Sequence, residues 1–133
     1  MSLLMKYSWN DPRPNWLETE HIQVAICTAL AQHPDYSNKF LFAARINEGK
    51  RSKRMAAMLK MAGLTAGEPD LDIWLDQGRS MRIELKRAKG RLSPVQKKRH
   101  AELARIGHAV YTLYCATPQD GIDQVLELLE EWL

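Results

Sequence analysis

Apolar positions recur along this chain with two alternating periods. From Leu17 to about Gln32, Ile22, Ala25, Ile26, Ala29 and Leu30 return every three or four residues, the spacing of a helix with one buried stripe. "HPDYSN" breaks that helix, with Pro34 as the stop. "KFLFAARI" predicts a strand, and "NEGKR" turns the chain into a second helix running to about Ala62. Gly63 and Gly67 bracket a loop. Two strands are predicted near Leu71 to Leu75 and Met81 to Lys86, joined by "DQGRS" as hairpin-turn material. In "LSPVQ", Ser93 is a natural N-cap, Pro94 suits the first helical position and Gln96 stands three residues after the cap. Gly107 ends that helix. "AVYTLYC" is almost wholly apolar or aromatic, which predicts a strand covered on both faces. Ile122, Val125, Leu126, Leu129 and Leu133 form the stripe of a last helix, with acids mostly opposite. The order α-β-α-β-β-α-β-α predicts an α/β fold, a mixed sheet flanked by helices, in one domain over residues 1–133 with 1–16 as a lead-in.

Composition narrows this picture. With 133 residues, 45% of them hydrophobic and 26% charged, the chain can bury a proper core and reads as a globular domain. No apolar run approaches the roughly 18 residues of a membrane span, and no signal-peptide pattern opens the chain, so no membrane partner is expected. Cys27 and Cys115 lack ligand-type spacing and read as buried free thiols in a reducing compartment such as the cytoplasm.

The net charge of +3 is modest, yet it is segregated. Arg79 to Arg105 holds ten Lys or Arg and two acids, whereas from Ala116 onward there are five acids and no base. A second basic cluster, "KRSKR", contributes Lys50, Arg51, Lys53 and Arg54. A positive face of this kind suits a polyanion such as nucleic acid, although any solvated helix can carry a charge run. Phosphates should meet "KRSKR" and the region holding Arg87, Lys89, Arg91, Lys97 and Arg99.

The strand pair "GEPDLDIWLDQGRSMRIELK" carries charges where core residues are expected. Residues two apart share a strand face, so Glu84 emerges with Lys86, and Asp70 with Asp72. Across a hairpin Asp70 and Glu84 can converge, and two half-buried carboxylates repel unless a cation lies between them. Mg²⁺ suits such a pair, because it takes oxygen ligands and leaves room for phosphate. Lys86 can then position a water and stabilise charge in phosphodiester hydrolysis. Glu-x-Lys is equally a common surface pair, and Asp72 reads as a supporting or simply solvated carboxylate. Gln96 is either the capping-box partner of Ser93 or a residue facing the cleft. His100, on the same helical stripe, reads as a satisfied packing histidine.

"GEPDLDIWL", "IELKRAKGRLSPVQKKRHAEL" and "IGHAVYTLY", preceded by an Asn-x-Gly-x-Arg turn in "NEGKR", resemble the VRR-NUC branch of the PD-(D/E)xK nucleases over about residues 17–115. That resemblance implies a restriction-endonuclease-like core and a Mg²⁺- or Mn²⁺-dependent DNA endonuclease. It implies Asp70 and Glu84 as metal-binding acids, the Leu85 carbonyl as a further ligand, Lys86 as the catalytic lysine and Gln96 as the polar residue behind it. It also implies a helix-borne metal acid, for which Glu20 fits best because Gln23 follows it, with Glu18 as the rival. Small stand-alone members resemble dimeric nucleases of branched DNA such as four-way junctions, which implies a homodimer, with Trp132 a candidate contact. The alternative is a DNA-binding module that is catalytically silent or needs a partner to cut.

Overall fold

A computed structural model of the chain describes residues 8–46 and 51–133. The first helix opens as a wide π-helical segment, Glu18–Gln23, whose Leu17 carbonyl accepts from both His21 N–H and Ile22 N–H, and continues as α1, Val24–Ala31. There follow β1 (Phe40–Ala44), α2 (Lys53–Met61), β2 (Leu71–Leu75), a 3₁₀ turn (Asp76–Gly78), β3 (Ser80–Arg87), α3 (Pro94–Arg105), β4 (Ala109–Cys115) and α4 (Pro118–Trp132). This is the predicted order of elements.

The sheet has strand order β1-β2-β3-β4. β1, β2 and β3 pair antiparallel, and β4 joins β3 in parallel. Parallel neighbours need a crossover rather than a tight turn, and α3 supplies it. The β2–β3 turn is tight because Gln77 and Gly78 both take positive φ, at 57° and 73°.

Alternation divides the sheet into an apolar face and a polar one. Leu71, Ile73 and Leu75 of β2 and Met81, Ile83 and Leu85 of β3 are buried against Ile22, Ile26 and Leu30 of the first helix and Val125 and Leu129 of α4. Gly121 lets α4 approach the first helix: a Cβ there would lie 3.0 Å from Ile26 Cδ1. The other face carries Asp70, Asp72, Glu84 and Lys86, and α3 crosses beside it.

β4, expected to be covered on both faces, is only partly so: among its residues only Cys115 is fully buried, and Tyr114 is exposed; the strand lies at the sheet edge. Its aromatic and branched residues are partly covered, which is enough to explain its apolar sequence. Trp132 is used within the chain, packing on the core and donating from Nε1 to the Tyr111 hydroxyl at 3.3 Å. Of the lead-in's described residues, Trp16 joins the core: it is buried and donates from Nε1 to the Asp11 carbonyl at 2.7 Å. Cys115 is buried and Cys27 half-buried, both as free thiols. Among the described residues no helix is long and apolar enough to cross a membrane.

Candidate active site

The site arises where β3 outruns β2. Their pairing ends at Leu71↔Ile83, so Glu84 to Arg87 continue without a β2 neighbour. Amides on that edge still need acceptors, and two acidic side chains supply them. Asp70 Oδ2 accepts from Leu85 N–H at 2.9 Å, and Glu18 Oε2 accepts from Arg87 N–H at 2.9 Å. In an extended strand the N–H and C=O of one residue face the same edge, so the Leu85 carbonyl is turned toward the Asp70 side. Gly90 leaves space for Glu18, since a Cβ there would come within 3.1 Å of its Oε2.

Asp70, continuing the register, stands opposite Glu84. Glu84 is only 2% exposed, and its Oε1 has no hydrogen-bond partner. Burial, then a hydrogen bond and repulsion from Asp70, push its carboxyl from 4.5 up to about 9, with Lys86 opposing and Glu18 adding to the rise. Without a bound cation Glu84 therefore keeps a proton at neutral pH. Lys86 is buried beside these acids. An unsatisfied buried carboxylate oxygen costs on the order of 1–3 kcal/mol or more, which calls for an external partner.

Helix α3 supplies the rear wall. Ser93 and Gln96 form the reciprocal capping box: Gln96 N–H donates to Ser93 Oγ at 3.1 Å, and Ser93 N–H to Gln96 Oε1 at 2.9 Å. The other end of the same amide, Gln96 Nε2, donates to Glu84 Oε2 at 3.4 Å. The two readings of Gln96 are thus both true. His100 departs from its expectation. It is buried, both ring nitrogens lack a hydrogen-bond partner, and Nε2 lies 3.3 Å from Glu84 Oε1. Desolvation lowers its pKa, which keeps the imidazole neutral, while the Gly67 backbone and the charges of Asp70 and Glu68 pull the other way. Gly67, at φ +85°, packs onto the start of α3, where a Cβ would sit 2.7 Å from the Val95 carbonyl.

Asp72 is neither solvated nor part of the acid pair. It is buried, with Arg45 Nη2 2.6 Å from Oδ2 and Arg82 Nε 3.8 Å from Oδ1. Arg45 also braces the chain before β2, donating from Nη1 to the Pro69 carbonyl at 3.1 Å and from its backbone N–H to the Asp70 carbonyl at 2.7 Å. Arg45, Leu64, Thr65, Glu68, Asp70 and Arg99 line a cleft of about 450 Å³.

Of the two helix-borne acids, Glu18 is carried to β3, whereas Glu20 is exposed. The interval to Gln23 is what favours Glu20 in the sequence; both acids lie in the π-helical segment. Of the basic residues, Lys50 lies outside the described residues. Arg51, Lys53, Arg54, Lys89, Arg91 and Lys97 are exposed. Arg87 is exposed, with Nη1 3.3 Å from Asn15 Oδ1. Arg99 is half-buried and bonded through Nε to Glu68, so it is engaged within the chain rather than free for phosphate. Sequence reasoning gives no role to Glu68 or Arg45 and takes His100 as a packing residue. Glu68 lies within the quoted "GEPD" and His100 one turn after Gln96, but nothing local ties Arg45 to Asp72.

Among the described residues no three His, Cys, Asp or Glu side chains form a ready-made metal-ligand group. The cluster offers two opposed carboxylates, a partnerless carboxylate oxygen, an edge carbonyl and Glu18 nearby. That all-oxygen chemistry fits a hard divalent cation that keeps much of its water.

The family model for the VRR-NUC domain matches residues 17–117. A solved structure described as a VRR_NUC domain protein superposes with a TM-score of 0.59 at 22% identity, covering 88% of this chain and 91% of that one. Another, described as a VRR_NUC domain, gives a TM-score of 0.52 at 18% identity, covering 84% and 94%. No curated protein matches. At such identities the structures show the fold, a restriction-endonuclease-like α/β arrangement, and the family match adds the nuclease type. The chain belongs to the VRR-NUC domain family.

Proposed function

We propose that this nuclease-type domain is a Mg²⁺- or Mn²⁺-dependent endonuclease that hydrolyses phosphodiester bonds in branched DNA. The observation that carries this reading is Glu84: a buried carboxylate with a partnerless oxygen, opposite Asp70 and beside Lys86. Asp70, Glu84 and the Leu85 carbonyl would hold the ion, with Glu18 rather than Glu20 as the acid from the first helix. The ion would supply Lewis-acid polarisation of the phosphate and a more acidic attacking water. The chain's own groups do the rest. Lys86 orients the water and offsets the negative charge on the oxygens of the pentacoordinate phosphorus. Gln96 fixes one oxygen of Glu84, and His100 closes the site against bulk water behind it. Lys53, Arg54, Lys89, Arg91 and Lys97 hold backbone phosphates without reading bases.

A four-way junction offers two equivalent strands, and a twofold homodimer is the natural means of paired cuts. The test is purified protein on plasmid, flap and four-way-junction DNA, with Mg²⁺, Mn²⁺ or chelator. Metal-dependent cutting of branched DNA is expected. Cutting that persists undiminished in Lys86→Ala would remove that residue from the chemistry. Salt-sensitive binding without cleavage of any substrate would leave a DNA-binding module instead.

A further inference from the structure

Residues 51–66, helix α2 and the loop after it, contain no buried residue. Ser52 caps the helix, accepting from Met55 N–H at 3.1 Å, but nine residues are too few to persist by propensity alone. Met55, Met58 and Met61 follow one another at three-residue intervals and are 45%, 52% and 89% exposed. Leu64 extends the apolar surface. The segment from Arg51 to Gly67 contains no acid, and Lys53, Arg54 and Lys60 make no ion pair among the described residues.

This arm is continuous with the active site. Leu64 and Thr65 line the cleft that contains Asp70, and also a neighbouring groove with Ala56 and Lys60. A strand leaving the cleft would pass along α2. A second copy of the chain is a poor occupant for the helix: two α2 helices about a twofold axis would set lysine and arginine against lysine and arginine, with no acid between them. A polyanion meets that charge. Flexible apolar side chains then need apolar surface on the nucleic acid. A continuous duplex hides its base faces, while a branch point or flap exposes them.

Resting on the nuclease reading, we propose that the 51–66 arm recognises unstacked bases at a branch, with Lys53, Arg54 and Lys60 on phosphates and Met58 and Met61 against base faces. The arm thereby determines preference for branched over continuous DNA.

The test compares wild type, Met61→Ser and Met58→Ser/Met61→Ser for binding to a four-way junction and a linear duplex of equal length. Ca²⁺ replaces Mg²⁺ to suppress cutting, and 2-aminopurine sits at the branch. Wild type should favour the junction and change the probe's fluorescence. The double variant should lower the junction-to-duplex affinity ratio about tenfold and lose the probe response, with Met61→Ser intermediate. Met61 is so exposed that its replacement leaves folding intact, so that variant remains informative if the double variant unfolds. Equal weakening on both DNAs, or an unchanged ratio, overturns the proposal. A shift from dimer to monomer in the Met variants also overturns it, assigning the face to a second copy. Failure of wild type to bind any DNA is a separate result that removes the nuclease reading itself.

Discussion

Asp70 and Asp72 stand two residues apart on one face of the sheet, and their surroundings are opposite. Asp72 is neutralised from within: Arg45 reaches it from beyond β1 at 2.6 Å, and Arg82 lies across the strand pair at 3.8 Å. Asp70 instead faces another carboxylate, Glu84, whose proton is retained up to about pH 9 despite Lys86. The sheet therefore supplies enough positive charge for one aspartate and too little for the other pair. Where the chain completes its own charge balance, the acid holds the fold together. Where it leaves a deficit, the balance must come from a proton or a cation in solution.

The contrast is broken most directly by catalysis. Lys86→Ala and Glu84→Gln should each slow single-turnover DNA cleavage by at least about 10²–10³-fold, the scale for losing one preorganised electrostatic group. Asp72→Asn should cost stability while leaving the rate per folded molecule within a few-fold. Equal loss of rate at Asp70 and Asp72 in folded protein would erase the distinction. Next in size is Arg45→Ala. Removing one partner of a buried pair typically costs about 3–5 kcal/mol, and because Arg45 is itself 43% exposed in its side chain the expected loss lies below that, near 2–3 kcal/mol in urea titration.

How far these two aspartates could be told apart in the sequence depends on what each contact requires. Alternation paired Asp70 with Asp72 and Glu84 with Lys86, and the hairpin let Asp70 and Glu84 converge. The Ser93–Gln96 capping box was legible for the same reason: its partners are three residues apart. Asp72's fate was not legible, because Arg45 lies 27 residues upstream and meets it only through the β1–β2 pairing. Glu18 stood only as the rival to Glu20, because the interval to Gln23 does not show which acid reaches β3, a contact between residues 69 positions apart. The partial exposure of β4 was lost because an apolar run does not say how far each face of a strand is covered.

Proton linkage gives a third, smaller effect. Glu84 holds its proton more tightly folded, at about 9, than its ordinary value of 4.5. Its contribution to stability is complete below the lower value and lost as pH rises toward the upper one. His100 works in the other sense, its lowered value removing stability as pH falls through its ordinary 6.5, so the clean window is pH 6.5 to 9. There the metal-free protein should melt progressively lower as pH rises, while Glu84→Gln, neutral throughout, should show a flatter profile. At one fixed concentration Mg²⁺ should raise the midpoint more at pH 8 than at pH 6.5, because less proton must be displaced; at 100 times its Kd the ion adds about 2.7 kcal/mol of stability. Asp72→Asn should leave that slope unchanged. A Glu84→Gln profile as steep as wild type would place the titrating group elsewhere.

The finest test separates the two jobs of Gln96. Its carbonyl end closes the α3 cap on Ser93 N–H at 2.9 Å, and its amide end reaches Glu84 at 3.4 Å. Gln96→Ala removes both and should cost about 1 kcal/mol of stability, the usual size of a lost cap. Gln96→Glu keeps the cap, because glutamate serves equally well at that position of the box. It also replaces the donor to Glu84 Oε2 with an acceptor-only carboxylate, which repels Glu84 only once a bound cation has displaced the Glu84 proton. Stability should therefore order as wild type near Gln96→Glu and above Gln96→Ala, whereas cleavage rate should fall further in Gln96→Glu than in Gln96→Ala. If the two variants instead lost rate only in proportion to stability, Gln96 would be a helix cap alone, and the orientation of Glu84 would rest on Asp70 and His100.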